Sequence, residues 1–157
     1  MSDTAIDMLA NFGNLMSGTT LDCRAGIVLL PLRQLGDARN LAVDLRADFV
    51  DYHQWRLDHM QAGTNFLNLT ENVLADDLSA ISQNYRGKRC AVVANLDLAF
   101  ACLPFEKRNT VWRYLRKQMR RRPVGLIITL PEIADKILPS GSERAIWLES
   151  QRLITLP

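Results

Sequence analysis

The chain alternates between two hydrophobic rhythms. Ile6, Leu9, Phe12 and Met16 recur at helical spacing, which predicts a leading helix over 4–16. "GTTLDCRAG" breaks that rhythm. "GIVLLP" (26–31), an apolar run bounded by Gly and Pro, then predicts a buried strand. A helix over about 37–46 follows, with Leu41, Ala42 and Leu45 on one side and Asp37 placed to cap its free amides. "ADFVDY" (47–52) predicts a second strand and "HQWRLDHM" a short helix. In "NLTENVLADDLSAISQNYRG", Leu74, Leu78, Ile81 and Tyr85 share a face, Asn68 and Glu71 have capping-box spacing, and Gly87 is a stop. "KRCAVVANLDLAF" (88–100) predicts a third strand. "FEKRNTVWRYLRKQMRRR" is a helix with Val111, Trp112, Leu115 and Met119 facing inward, closed by Pro123. "VGLIITL" (124–130) is a fourth strand, "PEIADKIL" a short helix with Pro131 in its first turn, and "SQRLITL" (150–156) a last strand.

Apolar strands alternating with amphipathic helices predict an α/β protein: a mostly parallel sheet with helices on both faces. The 157 residues suit one domain, with a leading helix within 1–22 and a core over 26–157, and neither a repeat nor a linker interrupts them. In such sheets the loops at the carboxyl ends of the strands form the functional edge. The segments after Leu30 and after Ala94 both belong there.

The segment after Leu30 has the layout of a phosphate-binding loop without its chemistry. A working Gly-x-x-x-x-Gly-Lys-Ser/Thr loop curls its amides around phosphate, reaches the outer phosphates with lysine, and holds Mg²⁺ with a hydroxyl. Here Pro31 stands for the first glycine, Asp37 for the lysine and Ala38 for the hydroxyl, and Gly36 alone matches. A carboxylate about 4 Å from a phosphate charge costs roughly 4 kcal/mol at an effective dielectric of about 20. In the later strand Ala94 occupies the place of a metal-binding aspartate, followed by Asn95 and Asp97. Three readings follow: an ordinary strand-to-helix turn, a nucleotide fold that has lost hydrolysis, or a site that works in another pose.

The order "IVLLPLRQLGDA", "FVDYHQWRLDHM" and "CAVVANLDLAFACLPFEKRNTVWRYLRKQMRRRPVGLIITLP" resembles the small P-loop proteins of BREX-type bacterial phage-defence systems. That family has a loop-bearing strand, a strand ending in Asp-Asn-x-Glu-Leu-x-Phe, and a helix leading through an Arg-containing turn to an apolar strand ending in Pro. "ANLDLAF" (94–100) matches with Ala94 for the first acid, Asn95 kept and Asp97 for the glutamate. The resemblance covers roughly 25–131. It implies a P-loop NTPase-like core without an AAA+ lid and a place as a small subunit of a defence complex. Because both nucleotide motifs depart from the pattern, ATP use does not carry over: the expectation is a pseudo-ATPase with no catalytic residue, metal or cofactor.

Charge adds a second candidate. Eight of the nineteen lysines and arginines lie between Lys107 and Arg122, with no acid among them. Arg113, Arg116, Lys117 and Arg120 fall on one helical stripe, and Arg121 and Arg122 extend it. This is either a solvated face or a surface for nucleic-acid backbone or an acidic partner protein, with Tyr114 near enough to stack. Alternatives to the adaptor are a nucleotide switch or weak ATPase completed by a partner subunit, with an arginine of "RRR" serving as a finger in trans, and a stand-alone nucleic-acid-binding domain. His53 and His59 sit six apart, on different helix faces, and Asp48, Asp51 and Asp58 are scattered; none reads as catalytic. Cys23, Cys90 and Cys102 have no metal-ligand spacing and form no disulfide framework. With no signal-like start and no membrane-length apolar run, a cytoplasmic protein with no membrane partner is expected.

Overall fold

The computed structural model describes residues 2–60 and 68–157. Five parallel strands, β1 (Ala25–Leu30), β2 (Asp48–Asp51), β3 (Cys90–Ala94), β4 (Gly125–Pro131) and β5 (Leu153–Thr155), form one sheet in the order β2-β3-β4-β1-β5. The protein is therefore α/β with an all-parallel sheet. Every residue of β1 and β3 is buried, as their unbroken apolar runs require.

The period of two along each strand divides the core. Ile27, Leu29, Ala91, Val93, Leu126 and Ile128 point to one face, and Val28, Leu30, Val92 and Ile127 to the other. Helices α1 (Asp3–Ser17) and α2 (Ala38–Asp44) cover the second face with Leu9, Phe12, Met16, Leu41 and Ala42. On the first lie α3 (Tyr52–His59), α4 (Glu71–Gln83), α5 (Asp97–Ala101), α6 (Phe105–Lys117) and α7 (Gly141–Glu149). Trp112 of α6, fully buried as its spacing predicts, stacks on Phe100 at 4.2 Å and meets Trp147 edge-on at 5.8 Å. α1 lies so close to β1 that a Cβ on Gly26 would stand 2.5 Å from the Phe12 ring.

Several expectations are corrected. The third strand stops at Ala94 rather than running to 100, because Asn95 takes a left-handed conformation (φ 63) and the chain turns into α5. α4 is capped by Thr70, whose hydroxyl accepts from the Val73 amide, and Asn68 lies outside the helix. That helix ends at Gln83, so Gly87 (φ 102) turns the following loop, and Tyr85 is 56% exposed instead of buried. "PEIADKIL" is a run of turns, closed by bonds from the Ala134 amide to the Pro131 carbonyl and from the Ile137 amide to the Ala134 carbonyl, and the Arg108 guanidinium and Trp112 indole hold its Lys136 and Ile137 carbonyls. α7, with only Glu143 and Trp147 buried, is an element the hydrophobic pattern does not announce. The last strand is shorter than 150–156, since Ser150 closes α7 and Arg152 turns inward.

Two buried arginines hold the amino edge of the sheet. Arg24 donates to the carbonyls of Met16 (3.0 Å), Arg89 (3.0 Å) and Arg122 (2.6 Å). Arg152 donates to Ala25 and Cys23, both at 2.9 Å, and lies 4.9 Å from the Trp147 ring. Burial pulls the Arg152 guanidinium down to about 10, so it remains charged at neutral pH. Arg24→Ala removes three hydrogen bonds to backbone carbonyls and is expected to cost about 3 kcal/mol, read as a lower urea midpoint with an unchanged m-value.

Candidate functional site

At the carboxyl edge the structure brings the two loop motifs to the same side of the sheet, one strand apart. β4 lies between β1 and β3, which separates the chain after Leu30 from the chain after Ala94 by about 10 Å. Pro31 is the only residue between β1 and a 3-10 helix over Leu32–Asp37, which runs straight into α2. The Gln34 amide bonds the Pro31 carbonyl at 2.8 Å, so the backbone here closes on itself. A 3-10 helix thus stands where the sequence has the layout of an amide-lined loop.

The side chains agree with the backbone. Gly36 is exposed, does not adopt a positive φ, and has open space where a Cβ would go, so nothing here requires glycine. Asp37 is exposed and makes no capping hydrogen bond, contrary to expectation, because the preceding 3-10 helix already engages the chain entering α2. Ala38 (4% exposed) and Ala94 (6%) are buried in the same apolar cluster, joined by Leu30, Leu41 and Val92. The two positions that would carry a metal-binding hydroxyl and acid are packed as hydrocarbon. Asn95, on the turn beyond, and Asp97, which opens α5, are both exposed. Beside Ala94 in register, Asp51 of β2 is engaged in capping α3 through the amides of His53 and Gln54.

The basic segment is divided by the fold. α6 ends at Lys117, so Arg120, Arg121 and Arg122 lie on the turn into β4 and not on the helix. Arg116 is turned inward: it forms two hydrogen bonds with Glu143 of α7, with Arg113 at 4.0 Å from the same carboxylate. The acid absent from 107–122 is supplied from another helix. Burial alone would raise the Glu143 carboxyl, but the hydrogen bond and charge of Arg116, with help from Trp147 and Arg113, outweigh it and hold the group below its ordinary value. At the other end of α6, Lys107 pairs with Glu71 at 3.0 Å. Tyr114 is half-buried against the core. Because α6 runs antiparallel to the strands, Lys117, Arg120, Arg121 and Arg122 sit at the amino edge, opposite the two loop motifs.

The remaining candidates have structural employment. His59 stacks on Trp55 at 4.1 Å, and Asp58 accepts from Gln54 at 2.8 Å. Asp77 accepts from the buried Tyr52 hydroxyl (2.7 Å) and from Arg56 (2.9 Å); burial first, and then Asp77, drive the phenol pKa far upward, so Tyr52 stays a neutral donor. Burial likewise pushes the Cys90 thiol up to about 11 and raises Cys23. Among the described residues no group of three His, Cys, Asp or Glu side chains is placed to hold a metal, and no helix is long and apolar enough to cross a membrane. A cavity of about 930 Å³ opens under α1, lined by Leu9, Gly13, Leu45 and Cys90 with Arg46 and Lys88 at its rim, also toward the amino edge.

Hydrophobic patterning missed the cations that precede the other strands. Arg24 precedes β1, Arg46 β2, Arg89 β3, Arg122 β4 and Arg152 β5, each within three residues of the strand. That recurrence is legible once strand starts are known. No protein-family model matches this chain, no curated protein does, and no solved structure does.

Gly36→Ala is expected to leave stability unchanged or raise it by about 0.5 kcal/mol, measured by chemical denaturation, since no phosphate cradle or positive φ needs the glycine. For Glu143, a depressed folded pKa means a stabilisation present above the ordinary carboxylate range and lost as pH falls through the folded value. Glu143→Gln is therefore expected to cost about 2 kcal/mol at pH 7 and to flatten the acid limb of the stability–pH curve.

Proposed function

We propose that this protein is a non-catalytic, P-loop-like adaptor: a small subunit of a bacterial phage-defence complex that works by binding and not by nucleotide turnover. The observation that carries the reading is the packing of Ala38 and Ala94 into one apolar cluster, behind a 3-10 helix that occupies the place of the phosphate loop. A triphosphate approaching this edge meets neither a ring of open amides nor a lysine, and it meets the Asp37 carboxylate. The α/β frame with both motif-bearing turns at the carboxyl edge is what such a fold requires, and the order of motifs around "ANLDLAF" supports the defence-system assignment. Partner contact falls to the cations at and beyond the end of α6.

Thermal melting with and without millimolar Mg-ATP tests the nucleotide half of this reading. Binding at about a hundred times the dissociation constant stabilises a fold by about 2.7 kcal/mol. The expected result is no shift, and a clear upward shift overturns the reading in favour of a nucleotide switch. The adaptor half is tested by phage plating on a host carrying the defence genes. Loss of protection on deletion, with full protection retained by Asp37→Asn, is expected; protection unaffected by deletion would refute it.

A further inference from the structure

The amino edge of the sheet collects charge from every strand. Arg46, Arg86, Lys88, Lys117, Arg120 and Arg121 are exposed on the segments that lead into β2, β3 and β4, and none makes an ion pair with a described residue. Beneath them Arg24 and Arg152 are buried against backbone carbonyls and make no ion pair with a described residue, although Glu143 acts on Arg152 through space. Asp22, Asp44, Asp48 and Glu149 are the acids nearest along the chain to the strand starts, fewer than the cations. Attraction of cations to helix carboxyl ends accounts for Arg116 and Lys117 in the last turn of α6. It does not account for Arg120 and Arg121, beyond that helix, nor for the 84–89 loop.

That loop, Asn84-Tyr85-Arg86-Gly87-Lys88-Arg89, is exposed throughout, and Gly87 at φ 102 turns it. Its one aromatic ring, Tyr85, is 56% exposed and directly precedes Arg86, which leaves a ring open to stack on a planar partner. A row of arginines and lysines with an open ring among them is the chemistry that tracks a phosphodiester backbone while stacking a base. A duplex hides its bases from such a ring, so a single strand is the form of nucleic acid that uses both the cations and the ring. The five strands span about 19 Å at ordinary spacing, room for a short run of phosphates.

We propose that the amino edge of the sheet is a docking surface for single-stranded nucleic acid, its backbone held by Lys88, Arg120 and Arg121 with their neighbours and a base stacked on Tyr85. The inference rests on the partner-contact half of the proposed function and is independent of the nucleotide half. Fluorescence anisotropy with labelled oligothymidine, a matched duplex and polyglutamate as competitor tests it on the intact protein. Single strands are expected to bind more tightly than duplex, with affinity falling steeply between about 50 and 200 mM salt. Arg120→Glu with Arg121→Glu should abolish binding. Tyr85→Ala should weaken it about tenfold with an unchanged salt slope, and Tyr85→Phe should keep it. These positions are exposed, so melting temperatures of the variants check that the fold is intact. No single-strand binding at the lower salt overturns the proposal even if the Mg-ATP melt behaves as expected. So does duplex binding as tight as single-strand, displacement by polyglutamate at equal charge, or indifference to Tyr85→Ala.

Discussion

The structure depends on how β1 enters the interior of the sheet. It lies between β4 and β5 with both faces buried, so the backbone just before it must also leave water, and its carbonyls need donors there. Arg152 provides them, and Arg24, buried just ahead of the strand, serves the neighbouring approaches. One guanidinium ties the end of α1, the approach to β3 and the approach to β4 to a single point. The other ties the approach to β1 to the start of β5 and rests on Trp147. A buried cation satisfied by carbonyl dipoles instead of a carboxylate is costly to desolvate, and the many bonds it makes offset that cost.

The same arrangement polarises the molecule. Neither buried arginine makes an ion pair with a described residue, and the turns that they hold carry further arginines and lysines outward. The carboxyl edge took the opposite course. There the chain turns from β1 directly into helix, and small apolar side chains bring α2 down onto β3. In a parallel α/β sheet the carboxyl edge is ordinarily where ligands sit. Here the cations, and the cavity under α1, lie toward the other end. The proposed adaptor and the proposed single-strand surface are two consequences of that one asymmetry.

α6 shows how tertiary contacts rearrange a sequence pattern. Its apolar spacing places Val111, Trp112 and Leu115 inward, and they are buried. The charged side is less faithful to the pattern: a helical stripe of four cations is broken because Arg116 finds Glu143, twenty-seven residues away, at a distance no spacing rule reaches. The turn after the helix then carries three arginines off the helical face altogether.

Local periodicity was enough to specify the layered α/β class, the positions of four of the five strands within a few residues, the start of the third, and most of the buried helix faces. An apolar run bounded by Gly or Pro has few alternatives to a buried strand, which is why "GIVLLP" and "VGLIITL" were legible. The missing phosphate chemistry after Leu30 was equally legible, because it turns on side-chain identity alone. Strand order, the 3-10 helix behind Pro31, the pairing of Arg116 with Glu143 and the exposure of Tyr85 emerged only with the folded chain. So did the gathering of Arg24, Arg46, Arg89, Arg122 and Arg152 along one edge. Each of these brings together residues far apart in the chain or turns on where a helix stops. Such outcomes are set by packing and by the need to satisfy buried polar groups, which no local pattern encodes.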